Sequence, residues 1–417
     1  MFFQKQSTQQ NSVVTVARNF FGGFFPSSPT SENSPENISN ETPGEINNII
    51  PRLRQISSFP VAGGVMFERK ATSSSLLIQE ETNKEINSTT TQVVYRFVER
   101  TTGHIYETTS RDLSQKRITN TTIPKIYEAY FSNDGENLTM LYLNPKVIET
   151  FVGKINYPQT STSTEIKEED LFAKVTGSFL PSESFSFTKS QFSNEYAFLN
   201  TSDSFGEVEI TNLYTGNIKT PLENKNIFNL NTSEWKIQYL KDGTLALNTK
   251  ASVVSEGFLY FLNPKDGILK KKLGNTLGLT SLVSPDGKKI FYSYYDSGST
   301  KTVVYDSETK NYTSLDLATI VGDKCVWSQT DNVTVYCALP LNLVRGDFPD
   351  SWYQGKYAFN DSFVKINTKD FTIEILMSAN TETTINLDAI DLQLSPSEDY
   401  LMFINKADLI LWSLDIL

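Results

Sequence analysis

Four sets of residues in this sequence have the types and spacing to do chemistry. The first is acidic. Glu128, Glu183, Asp323 and Asp391 each stand near the start of a short, alternating apolar segment, and a glycosidase needs two such carboxylates ~5–10 Å apart in one pocket. The second is the pair Cys325 and Cys337, which are either reduced, buried thiols or a disulfide. The third is an insertion, Pro340 to Asp361, that holds Phe348, Trp352, Tyr353, Tyr357 and Phe359 among Arg345, Asp347, Asp350 and Lys356. Large aromatics set among charges are the composition of interface anchors with a polar rim. The fourth is a series of Asp-Gly pairs at Asp134, Asp242, Asp266 and Asp286. None of these falls in a D-x-D-x-D-G frame, so they read as turns rather than calcium ligands.

What is missing narrows the field further. His104 is the single histidine, which removes most charge-relay schemes and every multi-histidine metal site. Between Gly103 and Ile105 it reads as a structural residue at a strand start. No glycine-rich phosphate loop opens a helix. The sequence therefore assigns no catalytic set, no cofactor and no metal.

The elements that must position these residues are strands. Leu282 to Leu317 reads as a complete four-stranded unit: a strand end at Leu282-Val283, a tight turn at Ser284-Pro285-Asp286-Gly287, then strands at Lys289 to Tyr294, Thr302 to Tyr305 and Asn311 to Leu317. One such unit cannot bury both of its faces, so copies are required. The first hairpin returns at Glu128 to Leu143, Ser184 to Leu199, Trp235 to Leu247, Lys324 to Leu339 and Leu392 to Ile404. Successive turns lie about 44 to 67 residues apart, one propeller blade plus variable loops. The second half returns at Gly206 to Leu222, Gly257 to Leu273 and Phe363 to Leu376. The predicted fold is an all-β, seven-bladed propeller over 52–417, preceded by a flexible linker over 1–51. Blade seven offers only three strands, so the ring is predicted to close by borrowing Arg52 to Ser57 from the N-terminal side. Blade one is expected to carry a polar excursion from about Thr72 to Thr90, and blade two a charged loop from Gln159 to Asp170.

Composition agrees. The chain has 417 residues, 27 Phe and 19 Tyr, and no long segment has a 3.6-residue apolar period, so helix should be scarce. The formal charge is −11 with a pI near 4.9, which repels a phosphate backbone and excludes nucleic acid as a partner. No run of 18 apolar residues is long enough to span a bilayer. Met1-Phe2-Phe3 reads as the tail of an apolar segment, so the expectation is an export signal or membrane anchor upstream of it.

Two resemblances follow from particular residues. The Ser284-Pro285-Asp286-Gly287 turn resembles the TolB-like propellers of bacterial envelopes. VERTTGHIYETT, TNTTIPKIYEAYFSNDG, GFLYFLNPKDG, KCVWS, PDSWYQG and SPSEDYLMFINKADLILWSLD together resemble an uncharacterised propeller family of the Patescibacteria, over nearly all of 52–417. This resemblance implies a propeller fold and an envelope location, and it transfers no catalytic residue.

Three expectations result. With the hairpin turn centred on Asp331, positions 325 and 337 stand directly opposite each other, which predicts a Cys325–Cys337 disulfide. The loop Pro340–Asp361 is expected on the face where the inner strands begin, with Arg345, Asp350, Trp352, Tyr353 and Lys356 as binding residues and Trp235 opening on the same face. Its aromatics either meet a ligand or fold back to plug the channel. The function expected is non-enzymatic binding or scaffolding in the cell envelope, with a protein or glycan partner. The alternative is a carbohydrate-active hydrolase that uses a carboxylate pair.

Overall fold

The computed structural model describes residues 50–75, 86–145, 147–158, 171–202, 210–230, 234–341, 345–379, 381 and 383–417. The N-terminal segment 1–49, residues 76–85 of the expected excursion, the charged loop 159–170 and residues 342–344 of the insertion lie outside the described residues.

A short strand, β1 (Leu53–Gln55), comes first. Blade one follows with β2 (Val61–Ser75), β3 (Ile86–Glu99), β4 (Ile105–Thr109) and β5 (Asp112–Arg117). Blade two is β6 (Ile126–Phe131), β7 (Asn137–Asn144), β8 (Val147–Asn156) and β9 (Lys174–Phe179). Blade three is β10 (Ser184–Lys189), β11 (Glu195–Ser202), β12 (Ile210–Asn217) and β13 (Thr220–Leu230). Blade four is β14 (Trp235–Tyr239), β15 (Leu245–Thr249), β16 (Glu256–Leu262) and β17 (Leu269–Leu277). Blade five is β18 (Thr280–Val283), β19 (Lys289–Asp296), β20 (Ser299–Asp306) and β21 (Tyr312–Leu315). A four-residue helix, α1 (Val321–Lys324), leads into blade six, β22 (Cys325–Trp327), β23 (Thr334–Pro340), β24 (Asp361–Asn367) and β25 (Ile373–Met377). A second helix, α2 (Asp350–Tyr353), lies between β23 and β24. Blade seven has β26 (Ala389–Leu394), β27 (Tyr400–Asn405) and β28 (Leu411–Asp415), and its fourth strand is β1.

Apolar side chains alternate along each strand because successive residues face opposite sides of a sheet. Each blade therefore has two faces to bury, and each is buried against a neighbour. Seven apolar clusters fill the seven blade junctions: Phe131 and Val98 pack between blades one and two, Phe187 and Val152 between two and three, and Leu199 and Ile237 between three and four. Phe261 and Ile290 lie between blades four and five, Phe291 and Val335 between five and six, Phe363 and Phe403 between six and seven, and Tyr95 and Met402 between seven and one. Fully burying a side chain of this size contributes roughly 1.5–3 kcal/mol.

The ring closes where the three-stranded blade required it. Leu53 pairs with Leu414 and Gln55 with Trp412, and the Ile56 amide donates to the Leu411 carbonyl at 2.7 Å. Arg54, buried within β1, donates to the Asp112 carbonyl at 2.8 Å and so ties the closing strand to blade one.

One expectation changes. The β2–β3 ladder runs on to Ser75 and Ile86, so the ends of the expected polar excursion are strand. Main-chain pairing does not depend on side-chain polarity, and Thr is a good strand former. The turn readings hold: Asp286 accepts from Ser284 Oγ at 2.6 Å and from the Lys288 amide at 3.1 Å, with Gly287 at φ 72°. His104 stands just before β4 with its Nε2 3.1 Å from Thr122 Oγ1.

Candidate functional site

The inner strands of all seven blades line a central cavity of 640 Å³, to which Ala62, Glu128, Lys189, Lys236, Leu282, Val326 and Asp391 each contribute from a different blade. Its floor lies where the inner strands end. There Gln329, just after β22, donates its side-chain amide to the carbonyl Oε1 of Gln191, just after β10, and both residues line the cavity. Its mouth lies where the inner strands begin. At this rim Lys236 Nζ pairs with Asp323 Oδ1 at 2.8 Å and donates to the Gly322 carbonyl, and the Tyr353 hydroxyl donates to Asp323 Oδ2 at 2.7 Å. Blade four, α1 and α2 are thereby tied together around one carboxylate.

The inner strands that deliver charge to the middle of the channel share a local irregularity. Pairing is interrupted between Ile126 and Glu128 in β6, between Phe185 and Thr188 in β10, between Ile390 and Gln393 in β26 and, in blade one, between Val61 and Gly63 in β2, whereas β14, β18 and β22 pair without interruption. A bulge re-aims the side chains beside it. Glu128, Lys189 and Asp391 come from the first three of these strands, and Asp391 itself has φ 52°.

These groups lie deep within the ring, although water reaches them. Burial raises the Glu128 carboxyl above the usual range and the charge of Asp391 adds to this, while the Tyr130 hydroxyl, donating at 3.0 Å, opposes it. Burial also raises Asp391, against the bond from Gln393 and the charges of Lys236 and Lys189. Burial lowers Lys189 to about 8 against the pull of Asp391 and Asp134, and its ammonium donates to Asn133 Oδ1 at 2.9 Å.

A second cavity, of 330 Å³, opens beside the mouth. Phe185, Trp235, Tyr353, Lys236, Asp323, Lys250 and Glu234 line it. It shares Lys236, Asp323 and Tyr353 with the central cavity, so the two adjoin across these side chains.

The residues singled out in the sequence take different places. Cys325 and Cys337 pair across the β22–β23 hairpin and are bonded to each other, both buried. Trp235 and Tyr353 both line the rim groove. Trp352 is 2% exposed. Its indole Nε1 donates to both oxygens of Asp388 at 3.0 and 2.9 Å, its carbonyl accepts from Lys406 Nζ at 2.9 Å, and it packs with Phe348, Phe359 and Ile320. One edge of it still reaches the wall of the central cavity. Asp350 accepts from Ser252 Oγ at 2.9 Å and from the Val253 amide at 2.7 Å, which fastens α2 to blade four. Arg345 and Lys356 are exposed and line neither cavity. Of the four carboxylates near inner-strand starts, Glu128, Asp323 and Asp391 line the central cavity, and Glu183 does not.

Sequence reasoning missed the lysines. Lys236 sits in an inner strand whose uninterrupted alternation was the available signal, whereas Lys189 follows the interruption in β10 and alternation alone does not place it. Lys324 gives no such signal. It has no exposed surface, bonds Asp361 Oδ2 and Asp388 Oδ1 at 2.6 Å each, and lies 5.2 and 5.1 Å from the ring centres of Trp352 and Phe359. Among the described residues no group of three or more His, Cys, Asp or Glu is placed to hold a metal ion, and no helix is long and apolar enough to cross a membrane.

No protein-family model and no curated protein matches this sequence. Solved propellers do match its structure. Oligogalacturonate lyase from Vibrio parahaemolyticus is 12% identical with a TM-score of 0.49, over 86% of this chain and 99% of that one. The β-propeller domain of the Trilobed protease from Pyrococcus furiosus is 13% identical with a TM-score of 0.47, over 78% and 92%. TolB from Acinetobacter baumannii is 12% identical with a TM-score of 0.40, over 74% and 79%. At these identities the similarity concerns the propeller fold alone.

Proposed function

We propose that this chain is a non-enzymatic binding or scaffolding propeller of the bacterial cell envelope that recognises a protein or glycan partner at the mouth of its central channel. The observation that carries this reading is the pair of adjoining recesses, the rim groove and the channel, with aromatic side chains at the rim and Gln191 and Gln329 bonded across the far end. Concave, mostly pre-formed sites with a few placed polar groups are where ligands bind. The Cys325–Cys337 disulfide supports an extracytoplasmic setting, because such bonds persist in oxidising compartments. Affinity capture from envelope fractions, followed by a glycan array, tests the proposal. A partner retained by the native chain and lost on Trp235→Ala supports it; no partner that depends on the rim removes it.

A second reading has one specific observation in its favour. Glu128 and Asp391 share the central cavity, and the charge of Asp391 helps raise the Glu128 carboxyl. Two carboxylates sharing one cavity are the pair from which a glycosidase draws its acid and its base or nucleophile. Reducing-end release from oligosaccharides, abolished by both Glu128→Gln and Asp391→Asn, would establish that reading. Turnover unaffected by either substitution would end it.

A further inference from the structure

The rim groove offers a chemistry different from that of the deep channel. Its walls carry three aromatic side chains from separate parts of the ring: Phe185 from blade three, Trp235 from blade four and Tyr353 from α2. None is sealed in the core. Phe185 and Trp235 are half-buried and Tyr353 is 38% exposed. Among the rings stand two ion pairs, Lys236–Asp323 at 2.8 Å and Lys250–Glu234 at 2.5 Å. The lining has two lysines against two carboxylates, so its charges cancel.

We propose that this groove binds a neutral saccharide, an uncharged stretch of pyranose units with one ring stacked on Trp235; this rests on the binding reading above and names its ligand class. A pyranose presents an apolar C–H face and an equatorial belt of hydroxyls. The face needs a flat apolar partner, which an aromatic ring supplies. The hydroxyls need donors and acceptors side by side, since each both gives and takes a hydrogen bond. The groove provides ammonium donors in Lys236 and Lys250 and carboxylate acceptors in Asp323 and Glu234. An acidic sugar finds no surplus cation here, because each lysine is matched by a carboxylate in the same wall. A protein hot spot would call for a fully desolvated apolar pocket, whereas polar side chains stand beside each of these rings. The volume of 330 Å³ is at the lower end for a small-molecule site, which suits a short saccharide segment.

Trp235 gives the test a direct readout. The chain has four tryptophans, and Trp327, Trp352 and Trp412 are only 3%, 2% and 6% exposed. A ligand in the groove therefore shields Trp235 from acrylamide quenching while the others change little. The full chain would be titrated with tetrasaccharides of β-1,4-glucose, α-1,4-glucose and β-1,4-N-acetylglucosamine, with tetragalacturonate as the acidic probe. At least one neutral probe should protect Trp235, and Trp235→Ala should weaken its binding about tenfold, the size of a lost aromatic stacking partner. Lys250→Ala, an exposed substitution that leaves the core untouched, should weaken it several-fold. Protection by tetragalacturonate in preference to all neutral probes, or by none of the four, overturns the assignment. An envelope protein whose capture requires Trp235, with no saccharide protection, overturns the saccharide while sustaining the binding reading. If neither saccharide nor protein binding depends on Trp235 or Lys250, both fall.

Discussion

The ammonium of Lys324 lies between Asp361 and Asp388 with no exposed surface, beneath the rings of Trp352 and Phe359. Removing one partner of such a group strands the opposite charges in a medium that solvates them poorly. Lys324→Met should therefore destabilise the fold by ~3–5 kcal/mol at neutral pH. The pH dependence has a definite sign. Burial raises the Asp361 carboxyl from 3.8 to about 6, and the attraction of Lys324 opposes that rise. A group whose folded-state pKa is raised contributes stability that is complete below its unfolded pKa and is lost as pH climbs through the folded one. Without the lysine the Asp361 carboxyl goes higher still, so the deficit of Lys324→Met should be smaller at pH 5 than at pH 8 when denaturant midpoints are compared. An equal or larger deficit at pH 5 would refute this account. None of it was legible in the sequence, where Lys324 is one residue before an apolar run, and Asp361 and Asp388 stand far along the chain. A buried triad is set by tertiary packing of blades six and seven, and no local pattern encodes it.

Hairpins were readable because their signals are local: a turn residue, a period of two, an apolar face. The Cys325–Cys337 bond is a consequence of the same register, since the turn at Asp331 sets the two positions opposite each other. Alkylation of the native chain without reductant, followed by intact-mass measurement, should show no modified thiol. Replacing both cysteines by Ala should cost ~2–3 kcal/mol, the entropy of a loop this short. Two alkylated thiols in native protein would refute the bond and withdraw its support for an oxidising compartment. The bulges in β6, β10 and β26 were not readable, because one extra residue in a strand leaves composition and alternation nearly unchanged. Those bulges place Glu128, Lys189 and Asp391 in the channel. The blades were therefore legible while the way three of them aim their inner residues was not. The insertion between β23 and β24 was legible as an exceptional loop, but its division of labour was not: Trp352 is held by Asp388 and Lys406 while its neighbour Tyr353 faces the groove.

At the scale of the whole ring, closure depends on three residues, Leu53 to Gln55, paired to the last strand of the chain. Deleting residues 1–60 should lower the melting temperature sharply, because it bares the edge of β28 and removes the buried Arg54 and Ile56. Deleting 1–45 leaves β1 in place and should change little; equal effects of the two deletions would contradict the closure. The strand packing of the ring runs from each blade to its neighbours, so strain in one passes around the circumference. The amide contact between Gln191 and Gln329 is of another kind. It joins blade three to blade six, as far apart as two blades of this ring can be, and runs across the channel instead of along the rim. A guest that reached the bottom of the recess would have to part these two amides and offer them polar groups in exchange.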